Sequence, residues 1–172
     1  MDNKFNYTGK VTVKSIFRDK VISTQHYNSG TIELFQVYAK ALTGQSITNF
    51  LPSYIDVEVS KDGGNSYNSC LVSDKGVSVV RSYVDLPSPC ARFTTTLTND
   101  MFNSNTFQNL SAMRFCLKTS PLPVSREQQV LAKISIDLSD NDSPFESNGI
   151  PSGTQIIIVW DLYVENKEVP NQ

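Results

Sequence analysis

The chain has little of the chemistry on which most enzymes and metal proteins depend. Among its 172 residues there is a single histidine. His26 is therefore the only candidate for a histidine general base, and a metal site built from several histidines is excluded by number. Neither a GxSxG nucleophile elbow nor a GxxxxGK[ST] phosphate loop is present. We expect a protein that is not an enzyme, with His26 at a strand end or in an interface.

Cysteine is also sparse. Cys70, Cys90 and Cys116 are odd in number and form neither a CxxC nor a Cys/His pair, so neither a disulfide framework nor a zinc site is indicated. We expect them to be buried and reduced. The start, MDNKFNYTG, lacks the basic and apolar segments of a secretory signal. The longest aliphatic-aromatic run, Ile156 to Trp160, is too short to cross a bilayer. These features predict a protein made in a cytoplasm, without a membrane partner.

The chain also has no large excess of either positive or negative charge. The 15 basic and 17 acidic residues give a formal net charge of -2. We expect no broad cationic face for a phosphate backbone, and therefore no direct nucleic-acid binding. Ser, Thr and Asn together supply 48 positions. Such a composition is typical of β proteins whose outer faces and loops carry short polar side chains.

Alternating apolar and polar residues predict about eight strands. One of the clearest is Gln129 to Leu138, in which every second side chain is apolar. Tyr54 to Ser60 alternates in the same way and is followed by a hairpin signal, Lys61 to Gly64. Gln155 to Val164 is apolar on both faces in its first half, as in a central strand covered on both sides. The pattern predicts a two-sheet antiparallel sandwich or a jelly-roll-like barrel.

A single helix is predicted at about residues 31–43. Polar residues at Asn28 to Thr31 are suited to cap its start, and Gly44 is suited to end it. The apolar residues between them follow the spacing of one helix face: Leu34, Phe35, Tyr38, Ala41 and Leu42. We expect this stripe to pack on a sheet or across a barrel end, rather than to form a groove for a partner.

The length suits one domain. We expect residues 1–8 to form a flexible N-terminal arm, residues 9–166 to form a single β-sandwich domain, and residues 167–172 to form a C-terminal tail.

One acidic loop offers a weak candidate for a calcium site. Asp140, Asp142 and Glu146, together with Asp137 and Asn141, supply the oxygen ligands that Ca²⁺ prefers. Their spacing lacks the order of an EF-hand and its required glycine. A solvated acidic turn is the favoured interpretation, and no cofactor is predicted.

Residues 9–44 combine a V-x-V strand, a short turn, a second strand and then YNSGTIELFQVYAKALTG. This arrangement resembles the opening of small β-rich virion proteins of tailed bacteriophages. SGTQIIIVWDLYVEN near the end is similar to the final core strand of phage head, neck and tail subunits. The resemblance implies a structural subunit of the virion, assembled in the host cytoplasm with copies of itself and other virion proteins. A neck or tail ring or connector is the first interpretation, and a capsid decoration protein is the alternative.

Two further hypotheses come from other classes. A carbohydrate-binding sandwich would use aromatic side chains near loops, such as Tyr67 and Phe102. A glycosidase would need a carboxylate pair, and Asp56 and Glu58 are predicted to share a strand face while Asp161 adjoins Trp160. Such pairs are common on exposed strand faces, so the glycosidase is not favoured.

Overall fold

The computed structural model describes residues 4–17, 20–29, 31–85, 89–103, 109–136, 138 and 152–167. Within these ranges the chain forms two antiparallel β-sheets and one α-helix, which confirms the predicted all-β fold. The sheets form an open sandwich and not a closed barrel. None of the helical segments in these ranges has the length and apolar character required to cross a bilayer.

The strands follow one another as β1 (Lys4–Phe17), β2 (Lys20–Ser29), β3 (Pro52–Ser60), β4 (Asn68–Ser69), β5 (Val77–Ser78), β6 (Val80–Val84), β7 (Cys90–Thr98), β8 (Ala112–Thr119), β9 (Val130–Ile136) and β10 (Gln155–Lys167). The helix α1 spans Ile32–Leu42, and single 3₁₀ turns lie at Thr48–Phe50 and Asn99–Met101. Sheet A has the order β2-β1-β10-β7-β6. Sheet B has the order β4-β3-β8-β9, with β5 also paired to β3.

The long strand pair β1–β10 reaches beyond the domain boundaries that we expected. Residues 4–8, which were predicted to belong to the N-terminal arm, extend β1 and pair with residues 163–167 of β10. Each strand supplies the hydrogen-bonding groups that the other needs, which explains the extension. Residues 1–3 and 168–172 lie outside the described part of the chain.

The core lies between the sheets and is filled by alternate residues of the strands, as the period-two pattern predicted. Sheet A contributes Trp160, the largest of the fully buried side chains, with Val11 and Phe93 opposite it on the neighbouring strands. Sheet B contributes Phe115 and Leu117, both fully buried. In β9 the predicted alternation is confirmed for residues 132–136, where Ala132, Ile134 and Ile136 are buried. It fails at Leu131, which is also buried, because the pairing of β8 with β9 shifts register at this residue.

One side of the sandwich is closed by a corner at which the chain passes from one sheet to the other. β5 pairs with β3 in sheet B, whereas β6 begins two residues later in sheet A. The Val79 N–H donates to the carbonyl oxygen of Ser53 at 3.0 Å, and the Thr95 hydroxyl donates to the carbonyl oxygen of Ser78 at 3.0 Å. These bonds to both sheets fix the corner and place β6 at the margin of sheet A.

Helix α1 is anchored at its start to the edge strand of sheet B. The Thr31 side chain caps the helix by accepting a hydrogen bond from the Leu34 N–H at 3.4 Å. The Thr31 N–H donates to the carbonyl oxygen of Leu131 in β9 at 3.1 Å. The predicted bounds and the predicted packing on a sheet agree with these contacts.

The packed face of α1 differs from the predicted stripe. Leu34 and Val37 are buried and Tyr38 packs partly against the core, but Phe35 and Leu42 are 42% and 88% exposed. The prediction was wrong for Phe35, Ala41 and Leu42, because the anchor at Thr31 sets the rotation of the helix about its axis. An apolar stripe therefore remains on the outside of α1.

Candidate functional site

The outer face of sheet B carries a cluster of four charged side chains, Asp56 and Glu58 of β3 with Arg114 and Lys118 of β8, termed here the β3–β8 ion cluster. Lys118 bonds to the carboxylate of Asp56 and lies 3.3 Å from Glu58 Oε1. Arg114 bonds to Glu58 through its Nε. The predicted common face of Asp56 and Glu58 is therefore confirmed, and both carboxylates are bound by cations.

The hairpin formed by β3 and β4 supplies further contacts to the ion cluster. The Ser69 hydroxyl donates to Asp56 Oδ1 at 2.6 Å. The guanidinium of Arg114 stacks on the ring of Tyr67, 3.9 Å from its centroid. Asp56 is only 1% exposed, although it lies on an outer sheet face. These contacts leave the cluster enclosed between the hairpin and the sheet.

Opposing effects set the protonation of the cluster. Burial raises the pKa of Glu58, but the hydrogen bonds and charges of Arg114 and Lys118 together lower it by a larger amount. The pKa of Glu58 therefore lies below its ordinary value. Burial lowers the pKa of Lys118, but Asp56 and Glu58 together raise it by a larger amount. The pKa of Lys118 therefore lies above its ordinary value. The shifted pKa values of Glu58, Lys118 and Arg114 all favour the charged forms of these three groups at neutral pH. A carboxylate pair held in this way is suited to join β3 to β8, not to act as the acid and nucleophile of a glycosidase.

Glu58 should contribute to the loss of stability of the protein at acidic pH. A carboxylate whose pKa is lowered on folding stabilises the protein above the ordinary pKa, and this contribution is lost as the pH falls through the lowered value. We therefore expect Glu58→Gln to be less stable than the natural chain at pH 7 and to lose less stability between pH 5 and pH 2. Urea unfolding across this range measures the difference. Glu127→Gln, at an exposed position, is the matched control, and equal pH slopes for Glu58→Gln and the natural chain would contradict the expectation.

A second ion pair lies on the outer face of sheet A. Arg92 binds Asp161 through two hydrogen bonds of 2.7 and 2.9 Å, and the Tyr163 hydroxyl lies 3.4 Å from Asp161 Oδ2. Asp161 is 4% exposed. Trp160, its neighbour in sequence, faces the core on the opposite side of the strand. Asp161 and Trp160 therefore do not share one site.

His26 lies in the edge strand β2, opposite Val11. Its Nε2 atom is 3.2 Å from the hydroxyl of Thr24 on the same strand. Across the described ranges, no three His, Cys, Asp or Glu side chains are close enough together to hold a metal ion. Asp140, Asp142 and Glu146, with Asp137 and Asn141, lie outside the described residues, so the calcium site stays a prediction.

The three cysteines are buried and free, as predicted. Burial raises the pKa of Cys116 to about 12, and burial followed by the charge of Asp56 raises the pKa of Cys70 well above its ordinary value. Burial and Asp161 also raise the pKa of Cys90. Thiols of this kind are poor nucleophiles, because the reactive thiolate is scarce at neutral pH.

The aromatic side chains proposed for sugar stacking pack against other residues of the protein. Tyr67 covers Arg114, and Phe102 is 7% exposed and belongs to the core. The expectation that Phe102 offers a ring face at a loop was therefore wrong, because its bridge to Leu71 draws it inward. No specific observation favours the carbohydrate-binding hypothesis.

Shallow depressions lie near the strand ends. The largest of those described has a volume of about 550 Å³ and is lined by side chains such as Tyr54, Val77 and Met101. Two smaller ones, of about 420 and 310 Å³, lie beside the start of α1 and at the start of β10. These three do not include the β3–β8 ion cluster or His26. The buried charges are thus not in contact with a described cavity.

Sequence reasoning missed the exposed apolar side chains of the two sheet A edges and the helix. They are Val21 and Tyr27 of β2, Val80 and Tyr83 of β6, and Ile32, Phe35 and Leu42 of α1. All except Phe35 are more than half exposed. The alternation that predicted the strands does not reveal which strand is an edge, so this surface was not recognisable before the sheet order was known.

The chain was compared with protein families, curated proteins and solved structures, and nothing in any of the three comparisons matches it.

Proposed function

We propose that this chain is a non-enzymatic structural subunit of a tailed-phage virion. The location that we favour is a neck or tail ring or a connector, in which copies of the chain contact one another and other virion proteins. Residues 9–44 and the final strand resemble phage virion proteins, which is the first support for this role. The fold adds independent support through its surface.

The main support is the position of the exposed apolar side chains. Val21 and Tyr27 lie on one edge strand of sheet A, and Val80 and Tyr83 lie on the other. Sheet edges carry unpaired backbone groups that a neighbouring chain can use, and apolar side chains there add buried area on contact. A subunit that is joined to several neighbours needs such surfaces on more than one side.

The balanced charges give the second support. The β3–β8 ion cluster and the Arg92–Asp161 pair neutralise their members internally and hold adjacent strands together. A framework fixed in this way is suited to keep its shape when neighbouring subunits bind to it. Each subunit of a symmetric ring or tube needs the same shape.

Quantitative mass spectrometry of purified particles tests the proposal. If it is right, peptides of this chain are present in the particles at the copy number of a ring or another multi-copy component. Immunogold labelling should then mark the neck or the tail. Particles that lack the chain, purified from cells that express it, would contradict a structural role.

The capsid decoration protein is the alternative within the same class. It differs in place and number, because label would cover the head and the copy number would follow that of the capsid subunit. Cryo-electron microscopy of the particle distinguishes the two.

A further inference from the structure

Strand β6 has one neighbour in sheet A. It pairs along its whole length with β7, and among the described residues no strand pairs with its other side. An edge strand of this kind presents a row of backbone N–H and C=O groups to the outside. As far as the described residues go, β6 is therefore open to pairing with another strand.

β6 is also exposed on both of its faces. Val80 and Ser82 lie on the outer face, opposite Thr94 and Arg92 of β7, whereas Arg81 and Tyr83 lie on the face that carries the core. Val80 is 72% exposed and Tyr83 is 71% exposed, and the two residues between them are exposed as well. The strand therefore projects past sheet B, and a partner has access to both faces.

The opposite edge of sheet A differs in this respect. In β2 the residues of one face, Val21 and Tyr27, are exposed, whereas Thr24 and His26 on the other face are half-buried. β2 also approaches β9 of sheet B, so that side of the sandwich is partly closed. β6 is the more accessible of the two edges.

The sequence of β6 is complementary to itself when one copy is reversed. It reads Val80-Arg81-Ser82-Tyr83-Val84. If two copies of the strand pair antiparallel about Ser82, each Val80 lies opposite a Val84 and each Arg81 lies opposite a Tyr83. Directly opposite residues in an antiparallel pair share a face, so every cross-strand contact is favourable. The Arg–Tyr contacts would be cation–π pairs, which occur twice because of the symmetry.

Arg81 is available for this contact. Within the described part of the chain it has no hydrogen-bond or ion-pair partner. The Tyr83 hydroxyl lies 3.4 Å from Asp85 Oδ1, near the end of the strand, and its ring is exposed. A guanidinium and an aromatic ring are thus placed two residues apart on one face of an open edge.

We propose that β6 is a self-association strand, which pairs antiparallel with β6 of a second copy of this chain about a two-fold axis through Ser82. A two-fold interface requires a surface that is complementary to itself, and the order Val, Arg, Ser, Tyr, Val meets this requirement. The five strands of sheet A are all antiparallel, so β2 and β6 run in the same direction. A head-to-tail junction of β6 with β2 would therefore be parallel, which is less stable per residue.

The inference goes beyond the proposed function, because it names one surface and one partner and does not require a virion. If particles contain the chain but changes in β6 leave its association intact, the virion proposal stands and this inference fails. If the chain dimerises through β6 but is absent from particles, the reverse holds.

A charge swap tests the pairing of Arg81 with Tyr83. Tyr83→Arg places two pairs of like charges across the dyad, and we expect dimerisation to weaken at least about tenfold, from the loss of two cation–π pairs and the added repulsion. Arg81→Tyr removes the same pairs without adding repulsion and should weaken it less. The double variant Arg81→Tyr/Tyr83→Arg restores both pairs with the partners exchanged, and it should dimerise within about threefold of the natural chain.

Sedimentation equilibrium measures the dimer dissociation constants of the natural chain and the three variants. Both positions are exposed, so the variants should fold as the natural chain does, and circular dichroism checks this. A double variant that is as weak as Tyr83→Arg would overturn the predicted register. Association that is equal in all four proteins would overturn the role of β6.

Cross-linking provides a second, independent test of the axis. In the proposed register each Ser82 faces Ser82 of the other copy, with Cα atoms about 4.5–5.5 Å apart, which is within the range that a disulfide spans. Ser82→Cys should therefore give a covalent dimer under mild oxidation, because the three natural cysteines are buried. Ser23→Cys, exposed on the other edge of sheet A, is the matched control and should give no covalent dimer, although it still associates through β6. A dimer that forms equally in both variants, or in neither, would contradict the inference.

Discussion

Replacing Asp56 with alanine is expected to lower the free energy of unfolding by about 3 kcal/mol. Asp56 is almost fully buried and binds Lys118, whose side chain is 14% exposed. Removing the carboxylate leaves the ammonium group of Lys118 with Glu58 at 3.3 Å as its remaining ion-pair partner in the cluster. The residual contact keeps the expected loss near the lower end of the range for a broken buried pair. Urea unfolding at pH 7 measures the change.

Two controls separate the buried charge from other effects of the substitution. Asp74→Ala removes an exposed carboxylate from the same part of the chain, and it should change the stability by less than about 0.5 kcal/mol. The double variant Asp56→Leu/Lys118→Met replaces the pair with apolar groups and should recover part of the loss, since no uncompensated charge remains. An Asp56→Ala variant as stable as Asp74→Ala would show that the ion cluster does not hold β3 to β8.

Replacing Trp160 with alanine is expected to lower the free energy of unfolding by about 3 to 5 kcal/mol. Trp160 lies in the central strand of sheet A, is fully buried, and has Val11 and Phe93 beside it on the flanking strands. Two rigid sheets cannot collapse fully into the space that the indole leaves, so the cavity adds to the lost apolar burial. Thermal unfolding of the variant measures the effect.

Trp160→Phe is the informative comparison. The indole Nε1 is buried and has no hydrogen-bond partner among the residues that the structure describes. Phenylalanine retains most of the apolar contact and removes this unsatisfied donor, so we expect a loss below about 1.5 kcal/mol. If the two substitutions cost the same, the contribution of Trp160 would not come from its volume.

The strands were predictable because their signal is local. The alternation in residues 130–136 and in residues 54–60 reports which side of a half-buried strand faces the core, and each sequence carries that information by itself. The hairpin after Ser60 was predictable for the same reason, since Gly63 and Gly64 adopt positive φ angles. These elements occur close to where the sequence placed them.

The packed face of α1 was not predictable from its own residues. Apolar side chains cover more than half of the helix surface, so two different stripes satisfy the helical spacing. The contact between Thr31 and Leu131, which are far apart in sequence, decides between them. Local periodicity contains no information about such a contact.

The ion cluster and the open edge required knowledge of the sheet order. Asp56 and Glu58 were recognised as neighbours, but their cations come from β8, more than fifty residues later. Likewise, Val80 to Val84 reads as an ordinary strand until its neighbours are known. An edge is a property of the whole sheet and not of the strand that forms it.

Sedimentation velocity of the natural chain over a wide range of concentrations shows whether copies of this domain associate. We expect a mean mass that rises with concentration, and a Tyr83→Arg variant that stays nearer the monomer at the same concentrations. A natural chain that sediments as a monomer up to the limit of its solubility would contradict this expectation.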